Sequence, residues 1–109
     1  MKFGKQAVLV FSVLLLLTSV SFAESGEIVW IDVRTPDEYR AGHLDAAINI
    51  PHTEIAEQIS LLALDKDQPI RLYCAVGYRS GLAVRQLRKL GYVNAVNAGG
   101  YEKLKISLQ

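Results

Sequence analysis

The chain has 109 residues, half of them hydrophobic, which leaves room for one small domain with a core of its own and argues against a disordered tail. Its 12 Lys and Arg stand against 11 Asp and Glu, a near-neutral balance that is wrong for nucleic acid or an anionic lipid surface as the main partner. A single cysteine, Cys74, excludes an internal disulfide framework.

In chain order, residues 1–23 read as a secretory signal peptide. Lys2 and Lys5 supply the basic start, Ala7 to Val20 the apolar run, and Ser21-Phe22-Ala23 the small residues of a cleavage site. The alternative is an uncleaved anchor, but the run is shorter than the roughly 20 residues a spanning helix prefers. Cleavage before Glu24 removes two lysines, leaves 10 basic residues against 11 acidic ones, and implies a mature domain at 24–109 free of the membrane.

Ile28 to Val33 is almost continuously apolar and β-branched, as in a buried strand. Thr35-Pro36-Asp37-Glu38 then has the form of a capping box, with Thr35 as N-cap and Pro36 at the first helical position, and predicts a short helix. Ile48 to Ile50 predicts a second strand closed by Pro51. From Thr53 onward, Ile55, Ala56, Ile59 and Leu62 recur at helical spacing, with Glu54 and Glu57 in the first turn. Asp65 to Pro69 is a turn, and Ile70 to Tyr73 a third strand with Cys74 at its end. A helix is expected from about Ser80, with Ala83, Val84, Leu87 and Leu90 as its apolar face and Gly91 as its left-handed terminator. Val93 to Asn97 predicts a fourth strand, Gly99-Gly100 a turn, and Tyr101 to Leu108 a last helix. This alternation implies an α/β domain, with helices flanking a mainly parallel sheet of about four strands.

Ligands of open parallel sheets bind beyond the carboxyl ends of the strands, where Cys74 lies just before a helix. Cys74 is either a small buried core residue or a thiol kept for its reactivity, and free cysteine is often buried. The residues after it favour reactivity. Gly77 lets the backbone approach a ligand, Arg79 adds charge, and the helix start at Ser80 offers amides and a partial positive charge to an anion. The same field lowers the pKa of a thiol.

Cys74-Ala75-Val76-Gly77-Tyr78-Arg79-Ser80 resembles the active-site loop of the rhodanese family. Asp32-Val33-Arg34 with Glu38-Tyr39 resembles the family's first signature, Gly42 to Pro51 its second, and Asn97-Ala98-Gly99-Gly100-Tyr101 its closing turn. With the signal peptide, the pattern points to the periplasmic single-domain members of the phage-shock type. The resemblance implies a small rhodanese-like fold and a ping-pong sulfurtransferase. On that resemblance Cys74 is expected to be the catalytic residue, with Ala75, Val76, Gly77, Tyr78, Arg79 and Ser80 binding substrate. The resemblance further implies thiosulfate as the donor, cyanide or another thiophile as the acceptor, and no metal or cofactor. Asp32 and Arg34 read as an ion pair supporting the loop rather than acting on substrate. His43 reads as a turn residue bonded to backbone, His52 as a surface residue, Trp30 as core or pocket border, and Tyr78 as either lining the site or simply exposed. Two residues depart from the family: Ala75 stands where many members place a basic residue, and Ala46 where glycine is usual.

Two other function classes use the same residues. A cysteine phosphatase places five residues between its cysteine and arginine, whereas four separate Cys74 from Arg79. A binding module with this fold commonly lacks the loop cysteine.

Overall fold

The structure, a computed structural model, describes residues 26–109, so the expected signal peptide lies outside the described residues. Strand β1 (Val29–Asp32) is followed by helix α1 (Pro36–Ala41), strand β2 (Ile48–Asn49) and helix α2 (Ile55–Gln58), which tightens into a 3₁₀ turn over Ile59–Leu62. Strand β3 (Ile70–Cys74), helix α3 (Tyr78–Lys89), strand β4 (Ala95–Gly100) and helix α4 (Tyr101–Ser107) complete the domain. All strand pairs are parallel, in the order β2-β1-β3-β4, with Ile31 opposite Leu72 and Asp32 opposite Tyr73. The α/β architecture is the one expected from the sequence.

The strands alternate as half-covered sheets do. Val29 and Ile31 of β1 with Ile70, Leu72 and Cys74 of β3 point to one face, where Ile55 and Ile59 of the second helical segment and Ala83, Val84 and Leu87 of α3 bury them. The opposite face carries Asp32 and Tyr73, with the Tyr73 ring stacked on Tyr101 of α4 at 6.0 Å. At the foot of α1 the capping box forms in full: Thr35 Oγ1 accepts from the Glu38 amide at 3.2 Å, and Glu38 Oε1 accepts from the Thr35 amide at 3.0 Å. Among the described residues no helix is long and apolar enough to cross a membrane.

Four local expectations are corrected. Helix α3 begins at Tyr78 rather than Ser80, because Gly77 takes a left-handed N-cap conformation that starts the helix earlier. Leu90 lies past the last turn of α3 and is exposed, so the apolar face ends at Leu87. Ala56 faces solvent beside the buried Ile55. Gly99 and Gly100 are no turn: a bulge shifts the register of β4 after Asn97, so that Gly99 pairs with Tyr73 and Gly100 with Cys74, and α4 starts directly from the strand.

Candidate functional site

Strand β3 carries Cys74 to the carboxyl edge of the sheet, and the three residues Ala75, Val76 and Gly77 turn the chain into α3. Gly77, with φ +100°, makes that turn, and the amides that follow point back at the sulfur. Cys74 Sγ accepts from the Gly77 amide at 3.0 Å and from the Ser80 amide at 3.4 Å, and lies 3.4 Å from Ser80 Oγ. Both Cys74 and Ser80 are buried. Burial alone pushes the thiol pKa up, but the Ser80 hydroxyl and the amides of Ser80, Val76 and Gly77 favour the anion more, and the net effect is a thiol below its ordinary value. The site is thus a cradle of backbone donors at the start of a 12-residue helix, arranged around one sulfur atom.

The loop residues divide by role. Gly77 and Ser80 form the cradle, while Ala75, Val76 and Tyr78 stand on its rim; Val76 is 85% and Tyr78 72% exposed. Tyr78 is therefore on the surface. Arg79 is not a free cation facing the cradle, as the sequence suggested. Its guanidinium grips Glu38 of α1 through two hydrogen bonds, 2.7 Å to Oε1 and 3.0 Å to Oε2. That pairing holds the Glu38 carboxyl down to about 2, against an opposing desolvation and with help from Thr35. Arg79 still interacts with Cys74 through space, but its nearest charge is Glu38.

Asp32 and Arg34 form the expected ion pair, and both are buried. Arg34 Nη2 lies 2.7 Å from Asp32 Oδ2 and also donates to the Gly42 carbonyl at 2.7 Å. The guanidinium lies 4.4 Å from the Tyr101 ring centre. The pair therefore braces the α1–β2 connection and the start of α4, and it also lies against Tyr73, the residue before Cys74 on β3, with the Arg34 guanidinium 5.6 Å from the Tyr73 ring centre. His43 is a turn residue as expected, with Nδ1 2.7 Å from the Tyr39 carbonyl and its ring stacked on Tyr39. His52 is half-buried after Pro51, its amide bonded to the Val33 carbonyl. Trp30 is half-buried and borders a cavity with Leu44, Tyr101 and Leu108, away from Cys74. Among the described residues no three His, Cys, Asp or Glu side chains lie close enough to share a metal ion.

Three participants were not singled out from the sequence. Asn97 of β4 accepts from Ser80 Oγ at 2.7 Å and donates to the Gly77 carbonyl at 3.0 Å, which ties both ends of the cradle to the neighbouring strand. Gly100 lies so close under the loop that a Cβ there would sit 2.5 Å from the Ala75 carbonyl oxygen. Glu38 is the partner of Arg79. Asn97 and Gly100 fall within the closing motif and Glu38 within the first, but no local pattern tells which loop atoms they meet.

The rhodanese-like domain profile matches residues 21–107 of the chain. The thiosulfate sulfurtransferase PspE of Escherichia coli strain K12 is 41% identical over 75 residues, which cover 69% of this chain and 72% of that protein. YqhL of Bacillus subtilis strain 168, an uncharacterized protein, is 40% identical over 74 residues, which cover 67% of this chain and 57% of YqhL. Among solved structures, an E. coli rhodanese with anions superposes with a TM-score of 0.67 at 41% identity, covering 70% of this chain and 89% of that one. The human single-domain sulfurtransferase TSTD1 superposes with a TM-score of 0.66 at 28% identity, covering 76% and 85%.

Proposed function

Since the chain belongs to the rhodanese-like domain family, we propose that it is a thiosulfate sulfurtransferase carrying sulfane sulfur as a persulfide on Cys74. The observation that carries this reading is the convergence of the Gly77 and Ser80 amides on Cys74 Sγ at the end of β3. In the first half-reaction the thiolate attacks the outer sulfur of thiosulfate, a new S–S bond forms on Cys74, the S–S bond of thiosulfate breaks, and sulfite leaves with the electron pair. In the second, cyanide or another thiophile attacks the outer sulfur of the persulfide. Thiocyanate leaves in the cyanide case, and the Cys74 thiolate is restored. Charge is conserved in both steps, so the residues have no proton to move; what they supply is stabilisation of an anion that stays on sulfur throughout. Charge-assisted bonds from preorganised amides do this without reorganisation. A phosphatase reading is disfavoured on the same geometry, because the arginine that would clamp a phosphoryl group is held by Glu38.

We further infer that residues 1–23 direct the chain to the periplasm, on the basic, apolar and small-residue pattern described above. The function is tested by incubating reduced protein with thiosulfate. Wild type is expected to gain the mass of one sulfur atom on Cys74, show ping-pong kinetics and form thiocyanate with cyanide. Cys74→Ser should lose all three while keeping its circular dichroism, since a serine hydroxyl is hardly ionised at neutral pH and forms no persulfide. Thiocyanate formation by the folded variant at near wild-type rate would defeat the mechanism.

A further inference from the structure

The Ser80 hydroxyl has one hydrogen and two neighbours that would take it, Asn97 Oδ1 at 2.7 Å and Cys74 Sγ at 3.4 Å. The orientation of the Asn97 amide is set by its other contacts. Its Nδ2 lies 3.0 Å from the Gly77 carbonyl, which can only accept, and its Oδ1 lies 3.0 Å from the Gly99 amide, which can only donate. Oδ1 therefore faces Ser80, and the hydroxyl must donate to it. The contact between Ser80 Oγ and sulfur then needs the S–H of a neutral Cys74 as its donor. Hydrogen bonds run in one direction, from Cys74 to Ser80 to Asn97. A thiolate cannot donate; it accepts instead, so the Ser80 hydrogen turns to sulfur and Asn97 Oδ1 keeps only the Gly99 amide.

We propose that Asn97 is a positioning residue that competes with the Cys74 sulfur for the Ser80 hydroxyl proton, holding it while Cys74 is a thiol and yielding it when the sulfur becomes anionic. The inference rests on Cys74 being the reactive sulfur, and Asn97 acts only through Ser80. Its consequence runs against a simple supporting role. The Ser80–Asn97 bond exists in the thiol state and not in the thiolate state, so removing the Asn97 carbonyl penalises the thiol alone and makes the resting cysteine more acidic. Other charges near the site are already paired, Arg79 of α3 with Glu38 of α1 and Arg34 with Asp32 at the end of β1, and none is altered by the substitutions below.

The test is the pH profile of Cys74 alkylation by iodoacetamide, measured on the full chain with its single cysteine. Asn97→Ala is expected to move the midpoint down by up to about one pH unit, the worth of one hydrogen bond, so that alkylation below the midpoint speeds up by as much as about ten-fold. Ser80→Ala should move the midpoint up, and the double variant should match Ser80→Ala alone, since neighbours acting through one group are not additive. Asn97→Leu, of similar volume and without an acceptor, gives the same reading if the alanine variant fails to fold. An upward or absent shift with Asn97 replaced, or an equal shift in the Ser80→Ala background, would overturn the proposal. The readout needs no sulfur transfer: if wild type takes no sulfur from thiosulfate and the midpoints still move as stated, Asn97 keeps this role and the sulfurtransferase reading fails.

Discussion

Glu38 serves two partners at once, closing the capping box of α1 through Thr35 and neutralising Arg79 of α3. Replacing it with glutamine separates the two, because Gln at the third helical position also completes a capping box whereas the charge is lost. The side chains of Arg79 and Glu38 are 26% and 35% exposed, so solvent screens them and the charge contributes no more than about 1 kcal/mol. Its pH dependence has a definite sign. The folded carboxyl sits near 2 and the unfolded one near 4.5, so the contribution is complete above about pH 4.5 and disappears as pH falls through about 2. Urea unfolding of Glu38→Gln should thus show a small deficit against wild type at pH 6 that narrows steadily from pH 4.5 downward; a deficit independent of pH would mean that capping, not charge, was lost. The buried Asp32–Arg34 pair behaves otherwise, since removing either member strands a charge in the interior.

At the level of elements, the end of β4 decides how the Cys74 loop is held. The bulge after Asn97 brings Gly100 opposite Cys74, and only hydrogen fits beneath the Ala75 carbonyl. Gly100→Ala should destabilise the domain by about 1–3 kcal/mol and displace the loop, with sulfur loading reduced more than the stability loss explains. Gly99→Ala is the useful contrast: a Cβ there meets nothing within 4 Å, and only the positive φ of +96° opposes it. That variant should cost stability through backbone strain alone, on the order of 1 kcal/mol, with the cradle left in place. Thermal unfolding together with the rate of persulfide formation separates the two, and equal losses of loading in both variants would show that the close approach of Gly100 is unimportant.

For the whole molecule, the core that β1, β3, α2 and α3 enclose runs, among the described residues, from Val29 to Ala95. A chain beginning at Glu24 should therefore unfold cooperatively, with the same midpoint whether it is produced directly or by processing. If residues 1–23 act as an export signal, mature protein starting at Glu24 will be found in the soluble periplasmic fraction by N-terminal sequencing. Full-length chain retained in washed membranes would instead support an anchor.

What the sequence determined by itself is local and periodic. The β-branched run of β1, the Thr35 capping box, the helical spacing of Ala83, Val84 and Leu87, and the terminating Gly91 each follow from short-range sterics and from which face must be buried. Cys74 at a strand end before a helix was legible for the same reason, and with it the cradle of amides. The partners of that cradle belong to the tertiary structure. Glu38 and Arg79 meet across 41 positions, Asn97 reaches Ser80 from 17 positions away, and Gly100 lies under Ala75 only because a bulge shifts β4 by one residue. These contacts arise when parallel strands distant in the chain are laid side by side, and register, which a single inserted residue changes, is not written in the periodicity of either strand. Arg79 shows the difference most directly: its charge could be read from the sequence, but whether that charge faced a substrate or a carboxylate was decided by where α1 packs.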